Sequence, residues 1–410
     1  MNKNWKKDIT LFLLSQTISL FGSSLVQYAI MWHITIKTQS GVMMTISIIC
    51  GFLPTLILSP FAGVWADRYD RKKLIMLSDS LIALSTLGLA TLFLMGYDSI
   101  WLLFVVSAIR ALGTAVQVPA VGAFLTQIVP EDKLTTVNAT SGSIQSMVLL
   151  ISPMLSGVLL TITTIETIFF IDVITAAIAV SVIFLFLHVP VHAKAQEKQS
   201  TSYFSDMRAG LTYIKNHAYI KSFFIFCAFL FFLVTPVAFL TPLQVTRSFG
   251  NDVWRLTAVE VIFSFGMIVG GIFMVYWGGF KNRIHSMALA SIIMGVCTFA
   301  LGIIPVFWIY LAIIGIFGLS MPIFNTPSAV LLQEKVEGDF LGRVFGILGM
   351  ISSGMMPLGM LLFGPLADII KIEWLLIVTG LFLFIQGFFL IGNKVLVEAG
   401  KPAERESNAQ

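Results

Sequence analysis

The chain has 410 residues, of which 57% are apolar and only 11% are Asp, Glu, Lys or Arg, against about a quarter in ordinary soluble domains. Mean hydropathy is +0.92 and the formal charge is +4, a balance that excludes a disordered chain, a coiled coil and a disulfide-stapled module. A soluble enzyme of ordinary make-up is excluded as well, because so much apolar surface cannot all be hidden in a core; this is the composition of a polytopic membrane protein.

A membrane-crossing helix needs about 20 apolar residues. Runs of that kind fall near 9–32, 42–66, 74–95, 99–128, 138–161 and 166–187, then near 219–241, 256–277, 285–304, 306–332, 343–367 and 372–393. The first run follows Lys3, Lys6 and Lys7, as a secretory leader would, but it carries Gln16, Gln27 and several serines. Eleven more runs follow, so it is expected to stay as the first helix. An all-α membrane protein of twelve transmembrane helices results.

Basic residues orient it. The odd-numbered connections hold Lys37, Arg247, Arg255 and Lys371, whereas twenty Lys and Arg lie at the amino terminus, in the even-numbered connections and in the tail. Both termini are therefore expected in the cytoplasm of a cell membrane. A hydrophilic stretch at 188–218, with an amphipathic segment around Met207, Leu211 and Ile214, separates an amino-terminal half (1–187) from a carboxy-terminal half (219–394) and a tail (395–410). The halves echo each other: the approach to Pro153 from Gln127 resembles the approach to Pro357 from Gln333, 204–207 positions later, and Gly63 to Arg68 resembles Gly278 to Arg283. Two parallel six-helix repeats around a central path are the build of a rocking transporter.

The loop after the second run reads Gly63-Val-Trp-Ala-Asp67-Arg68-Tyr-Asp70-Arg71-Lys72-Lys73. Asp67 ends a helix where a carboxylate can meet a neighbouring helix amino terminus; the amino terminus of the eleventh run, near Gly342 and Arg343, is the expected partner. Gly63 permits close helix approach, and the basic cluster suits anionic headgroups on the inner leaflet. Arg110 lies about ten residues into the fourth run, where a guanidinium must face a partner or a wet cavity; it is either a working charge or a structural one tied to backbone carbonyls. Pro153 and Gly157 in the fifth run allow a bend and close packing.

Asp79, Asp172 and Glu260 are the acidic residues within or near the runs. Each can exchange a proton, attract a cationic amine, or simply hydrogen-bond a helix end; for Asp79 a link to the basic loop is expected. Trp32, Tyr28, Phe232 and Met267 belong to runs expected to line a greasy central path. Cys50, Cys227 and Cys297 sit singly in apolar runs and read as packing residues. No phosphate-binding G-x-x-x-x-G-K-[ST], no HExxH and no G-x-S-x-G is present, so no ATPase, metal site, cofactor, nucleic-acid partner or catalytic constellation is expected, and the chain is expected to be a monomer.

The loop residues Gly63, Asp67, Arg68, Arg71 and Lys72 resemble the G-x-x-x-D-R-x-x-R-K/R signature of the major facilitator superfamily, with Asp70 where glycine is usual. That resemblance implies a latch between the halves on the cytoplasmic side. Gly51-Phe-Leu-Pro54, Ile109-Arg110 to Ala115, Ile171-Asp172-Val173, Glu260 to Met267 and Leu341-Gly342-Arg343-Val344-Phe345 resemble the macrolide-efflux branch of the drug:proton antiporters of Gram-positive bacteria. Arg110 resembles the opening of the family's R-x-x-x-G proton-linked motif. Pro153 and Gly157 resemble its antiporter motif G-P-x-x-G-G, with serines at two glycine positions. The resemblance implies export of hydrophobic or amphipathic drugs, macrolides above all, driven by the proton gradient. A lysolipid or siderophore exporter is the alternative within transport. A membrane-embedded sensor or enzyme is the alternative of another class.

Overall fold

The structure, a computed structural model, describes residues 5–187 and 211–401, without the side chains of Pro60, Asp67, Glu131, Thr135 and Asp339. The rest of the expected linker, including Met207, and the tail beyond 401 lie outside the described residues. Twelve helices are long and apolar enough to cross a membrane. In chain order they are α1 Trp5–Thr38, α2 Gly41–Arg68, α3 Arg71–Leu94, α4 Ile100–Ile128, α5 Leu134–Ile162 and α6 Ile165–Phe186, then α7 Ala218–Phe249, α8 Val253–Trp277, α9 Arg283–Leu301, α10 Phe307–Lys335, α11 Gly338–Ile369 and α12 Ile372–Gly392. A short α13, Lys394–Ala399, follows. No strand occurs among the described residues. The twelve-helix membrane fold read from the sequence is the fold observed.

α7 continues past its expected end near 241. Pro236 and Pro242 lack the N–H that an α-helix needs, and the helix absorbs the first of them by widening into a π-helical turn at Pro236–Leu240. Its last two turns are polar in sequence yet well used. Gln244 is buried, donates to Leu301 O at 2.8 Å and accepts from Tyr310 Oη at 2.9 Å.

The chain forms two compact units. The first comprises the described residues of Met1–Gln39, Ile46–Gln199 and Asp252–Thr257; the second comprises those of Ser40–Thr45, Ser200–Asn251 and Ala258–Gln410. The sequence halves are thus exchanged at two short places, the first turns of α2 and of α8. In the second unit the Thr45 hydroxyl donates to Gly41 O and Met360 O at 2.8 and 3.1 Å. A Cβ on Gly364 would stand 1.8 Å from that hydroxyl oxygen, so only glycine fits. In the first unit a Cβ on Gly157 would stand 1.7 Å from the Thr257 hydroxyl. Thr45 and Thr257 are 212 positions apart, and Gly157 and Gly364 are 207 apart, so the two crossings are repeats of one another.

Within the first unit α1 packs on α6 and α5, and α3 packs on α4 and α6. Phe12 and Phe124, both fully buried, meet at 4.8 Å between ring centroids at one end. At the other, the Lys37 ammonium hydrogen-bonds Asp98 in the α3–α4 turn and holds its carboxyl below the usual carboxylate range. Within the second unit α9 lies against α12 so closely that a Cβ on Gly295 would reach Phe384 N at 2.4 Å.

Candidate functional site

The polar chemistry of the first unit gathers on α1, α3, α4 and α6. Arg110 of α4 is 9% exposed and Asp172 of α6 is fully buried. The guanidinium Nη1 donates to Asp172 Oδ2 at 2.5 Å and also to the Thr86 hydroxyl, while Nη2 donates to Ser23 O at 3.1 Å. Thr86 Oγ1 and Ser23 Oγ donate to the two Asp172 carboxylate oxygens at 3.1 and 3.0 Å. A buried charge is tolerable when it is paired and its remaining lone pairs are satisfied, and both conditions hold here.

Two glycines make this meeting possible. A Cβ on Gly22 would lie 2.0 Å from Thr175 Oγ1 and 3.1 Å from Asp172 Cα, so its absence lets α1 touch α6 beside the carboxylate. A Cβ on Gly113 would lie 2.6 Å from Ile82 Cγ1, so α4 reaches α3 one turn from Arg110. The second alternative for Arg110, a structural tie to backbone carbonyls, describes one of its bonds; the carboxylate of Asp172 is the larger partner.

Asp79 lies elsewhere than expected. Instead of joining the basic loop, its buried carboxylate accepts from Gln117 Nε2 of α4 at 2.5 Å and from Ser19 Oγ and Gln16 Nε2 of α1 at 3.3 and 3.5 Å. The ninth position along α3 simply faces inward, away from the helix end that carries Arg71 and Lys72. Glu260 of α8 is half-buried and has no hydrogen-bond or ion-pair partner among the described residues.

The signature loop divides. Lys72 Nζ donates to Leu187 O at 2.7 Å and so neutralises the carboxyl end of α6. Arg71, buried, bonds Ala66 O at 3.0 Å and Ala123 O at 2.8 Å, tying the ends of α2 and α4. Arg68 is exposed in the last turn of α2, and a Cβ on Gly63 would meet nothing within 4 Å. The side chain of Asp67 lies outside the described residues. Asp70, where the family motif has glycine, is the N-cap of α3, accepting from Lys72 N and Lys73 N at 3.0 and 3.4 Å. Asn282 caps α9 in the same way and is likewise followed by an arginine. The true counterpart of Asn282 is therefore Asp70, 212 positions away, and not Asp67 as the sequence echo suggests.

In α5, Pro153 and Gly157 lie within one continuous helix. Ser156, at a glycine position of the antiporter motif, is buried and donates to Leu25 O at 3.1 Å, fastening α5 to α1. One cluster escaped sequence reasoning: Asp368, near the end of α11. It accepts from Ser40 Oγ, Gly41 N and Val42 N at 2.7, 2.7 and 3.0 Å, and pairs with Arg247 at 2.8 Å. Its proximity to the start of α2 and to the basic residue at the end of α7 is legible only once the helices are packed. Among the described residues no group of three His, Cys, Asp or Glu side chains could hold a metal ion.

The model of the Major Facilitator Superfamily matches residues 11–360. The chain belongs to that superfamily. Macrolide efflux protein A of Streptococcus pyogenes is 29% identical over 379 residues, covering 92% of this chain and 93% of that protein. The staphyloferrin A transporter of Staphylococcus aureus is 25% identical over 378 residues, covering 89% and 91%. Among solved structures, a bacterial homologue of the human lysosomal transporter Spinster superposes with a TM-score of 0.72 at 12% identity, covering 98% of this chain and all of that one. This superfamily member is a multi-pass membrane transporter.

The cap on α3 gives a direct test of the departure at Asp70. Asp70→Ala removes the cap and should lower stability by about 0.5–2 kcal/mol, whereas Asp70→Gly, which restores the residue usual in the motif, should cost only a few tenths. Thermal unfolding of the two purified variants in one detergent checks the order.

Proposed function

We propose that the chain is a proton-coupled secondary exporter of hydrophobic or amphipathic drugs, with macrolide antibiotics as its principal substrates. What carries the substrate class is the 29% identity to macrolide efflux protein A along almost the whole of both chains. What supports proton coupling is the presence of three carboxyls in the membrane-spanning helices, Asp79, Asp172 and Glu260, of which Asp172 is paired with Arg110. A half-buried carboxyl without a partner among the described residues, Glu260, suits a protonated amine on a passing drug. The protein acts as a monomer with both termini in the cytoplasm and uses the proton gradient without a cofactor. Siderophore export is the second reading, and the similarity to the staphyloferrin A transporter favours it.

Asp67 takes part in the proposed cycle as a cytoplasmic latch. A helix amino terminus carries about half a positive charge, and Arg343 adds a full one at the start of α11. A contact formed in one state and broken in the other shifts the balance of states, as a transport cycle requires.

Expression in a host lacking its own efflux pumps tests both statements. Cells carrying the chain should accumulate less erythromycin than controls, and a protonophore should abolish the difference; unchanged accumulation would remove the macrolide reading, and a siderophore assay would then decide the alternative. In the same cells Asp67→Asn, expressed at the normal level, should export several-fold less. Normal efflux by that variant would contradict the latch.

A further inference from the structure

Asp79 and Asp172 occupy one helical unit and both are buried, yet their surroundings are chemically opposite. Asp172 is held by Arg110, a group that donates and never accepts. Were Asp172 to take up a proton, the guanidinium would stand in the membrane uncompensated, which is the costly way to break a buried pair. Around Asp79 the three partners are Gln117, Gln16 and Ser19. Every one of these can donate or accept: an amide turned by a half-rotation presents its oxygen in place of its nitrogen, and a hydroxyl rotates. An ionised Asp79 accepts three hydrogen bonds; a neutral Asp79 donates its one proton to an amide oxygen and accepts the others. Neither state leaves a buried polar group unsatisfied.

The neighbouring helices supply no fixed counter-charge beside Asp79. On α3 the other ionisable side chains are Arg71, Lys72 and Lys73 at its start, and all three lie at least six residues away along the helix. On α1 none occurs between Asp8 and Tyr28. α4 carries Arg110, seven residues from Gln117 and about 10 Å along the axis; α6 carries Glu166 in its first turn and Asp172. Arg110 is already committed to Asp172. Ser19 and Ser23, one turn apart on α1, join the two acids into one polar strip, Ser19 on Asp79 and Ser23 on Asp172. Gln16 and Gln117 are half-buried, whereas Asp79 is buried.

From this arrangement we propose that Asp79 is the group that takes up and releases the transported proton, with Gln117 as the residue that positions it, while Asp172 remains the fixed partner of Arg110. The inference rests on the proton-coupled reading above. The proton enters from water on one side, resides on a carboxylate oxygen of Asp79, and leaves to water on the other side, with the three partners reversing their hydrogen bonds each time.

The test uses the full chain reconstituted in lipid vesicles, with erythromycin as the probe and a trapped pH indicator as the readout. Wild-type protein should move protons when erythromycin is added, with a sigmoid dependence on pH. Asp79→Asn should abolish that proton movement, and Asp79→Glu should restore part of it. Gln117→Leu keeps the acid but removes a donor to its ionised form. Its pH profile should keep its shape and move to higher pH by about one unit or more, because the neutral form is then favoured. A merely structural role for Gln117 would lower the amplitude and leave the midpoint in place. If wild-type protein shows no erythromycin-driven proton movement, the exporter reading fails and takes the assignment with it. If wild type is coupled but Asp79→Asn remains so, or Gln117→Leu leaves the midpoint unmoved, the assignment alone is overturned.

Discussion

A guanidinium in hydrocarbon is the constraint on which the amino-terminal helices depend. Arg110 cannot lose its charge and is buried within a membrane-spanning helix, so the fold must bring a carboxylate and enough acceptors to one point. Asp172 supplies the charge, Ser23 a carbonyl, and Thr86 a hydroxyl that bridges both. These come from α1, α3 and α6, so satisfying one side chain fixes the mutual register of four helices. The glycines at 22 and 113 follow from the same demand, since a methyl group at either would hold the helices apart. Function and packing are not separate layers here.

The second unit solves its packing differently. Its helices meet through glycine, as at Gly295 against Phe384 and Gly364 against Thr45, through neutral pairs such as Gln244 with Tyr310, and through the half-exposed Arg247–Asp368 pair near the helix ends. In a membrane, where lipid offers apolar contact as good as any side chain, close approach through small residues and interhelical hydrogen bonds are the available sources of association. Its membrane carboxyl, Glu260, is left without a partner among the described residues. The internal repeat therefore extends to the helix crossings and caps, with Asp70 and Asn282 in matching roles, but not to the charges.

Much of this was legible in the sequence because the bilayer restricts the alternatives so severely. A run of about 20 apolar residues can only be a helix across it, and the loop motif at Gly63 to Lys72 pointed to the superfamily. Arg110 and the three acids were visible as exceptions in apolar runs. Their pairing was not. Arg110 and Asp172 are 62 residues apart, and which faces of α4 and α6 meet is set by packing against α1 through Gly22, a residue that looked like any other small one. Nearness along the chain to Arg71 and Lys72 points Asp79 to the basic loop, whereas the direction of its helix face turns it to Gln117, Ser19 and Gln16. Asp70 seemed a defect in a motif, and only the backbone of α3 shows it to be a cap. Asp368 was passed over because its partners, at 40–42 and 247, lie far off in sequence.

The dependence of the first unit on the Arg110–Asp172 pair is open to a double-mutant cycle. Arg110→Leu, Asp172→Leu and the double variant would be purified in one detergent and unfolded thermally. Removing either partner alone should cost roughly 3–5 kcal/mol, because it strands a buried charge. Removing both should cost far less than the sum, leaving a coupling of about 2 kcal/mol or more. Losses that simply add would contradict the central claim, and would mean that the two residues hold the helices by separate means.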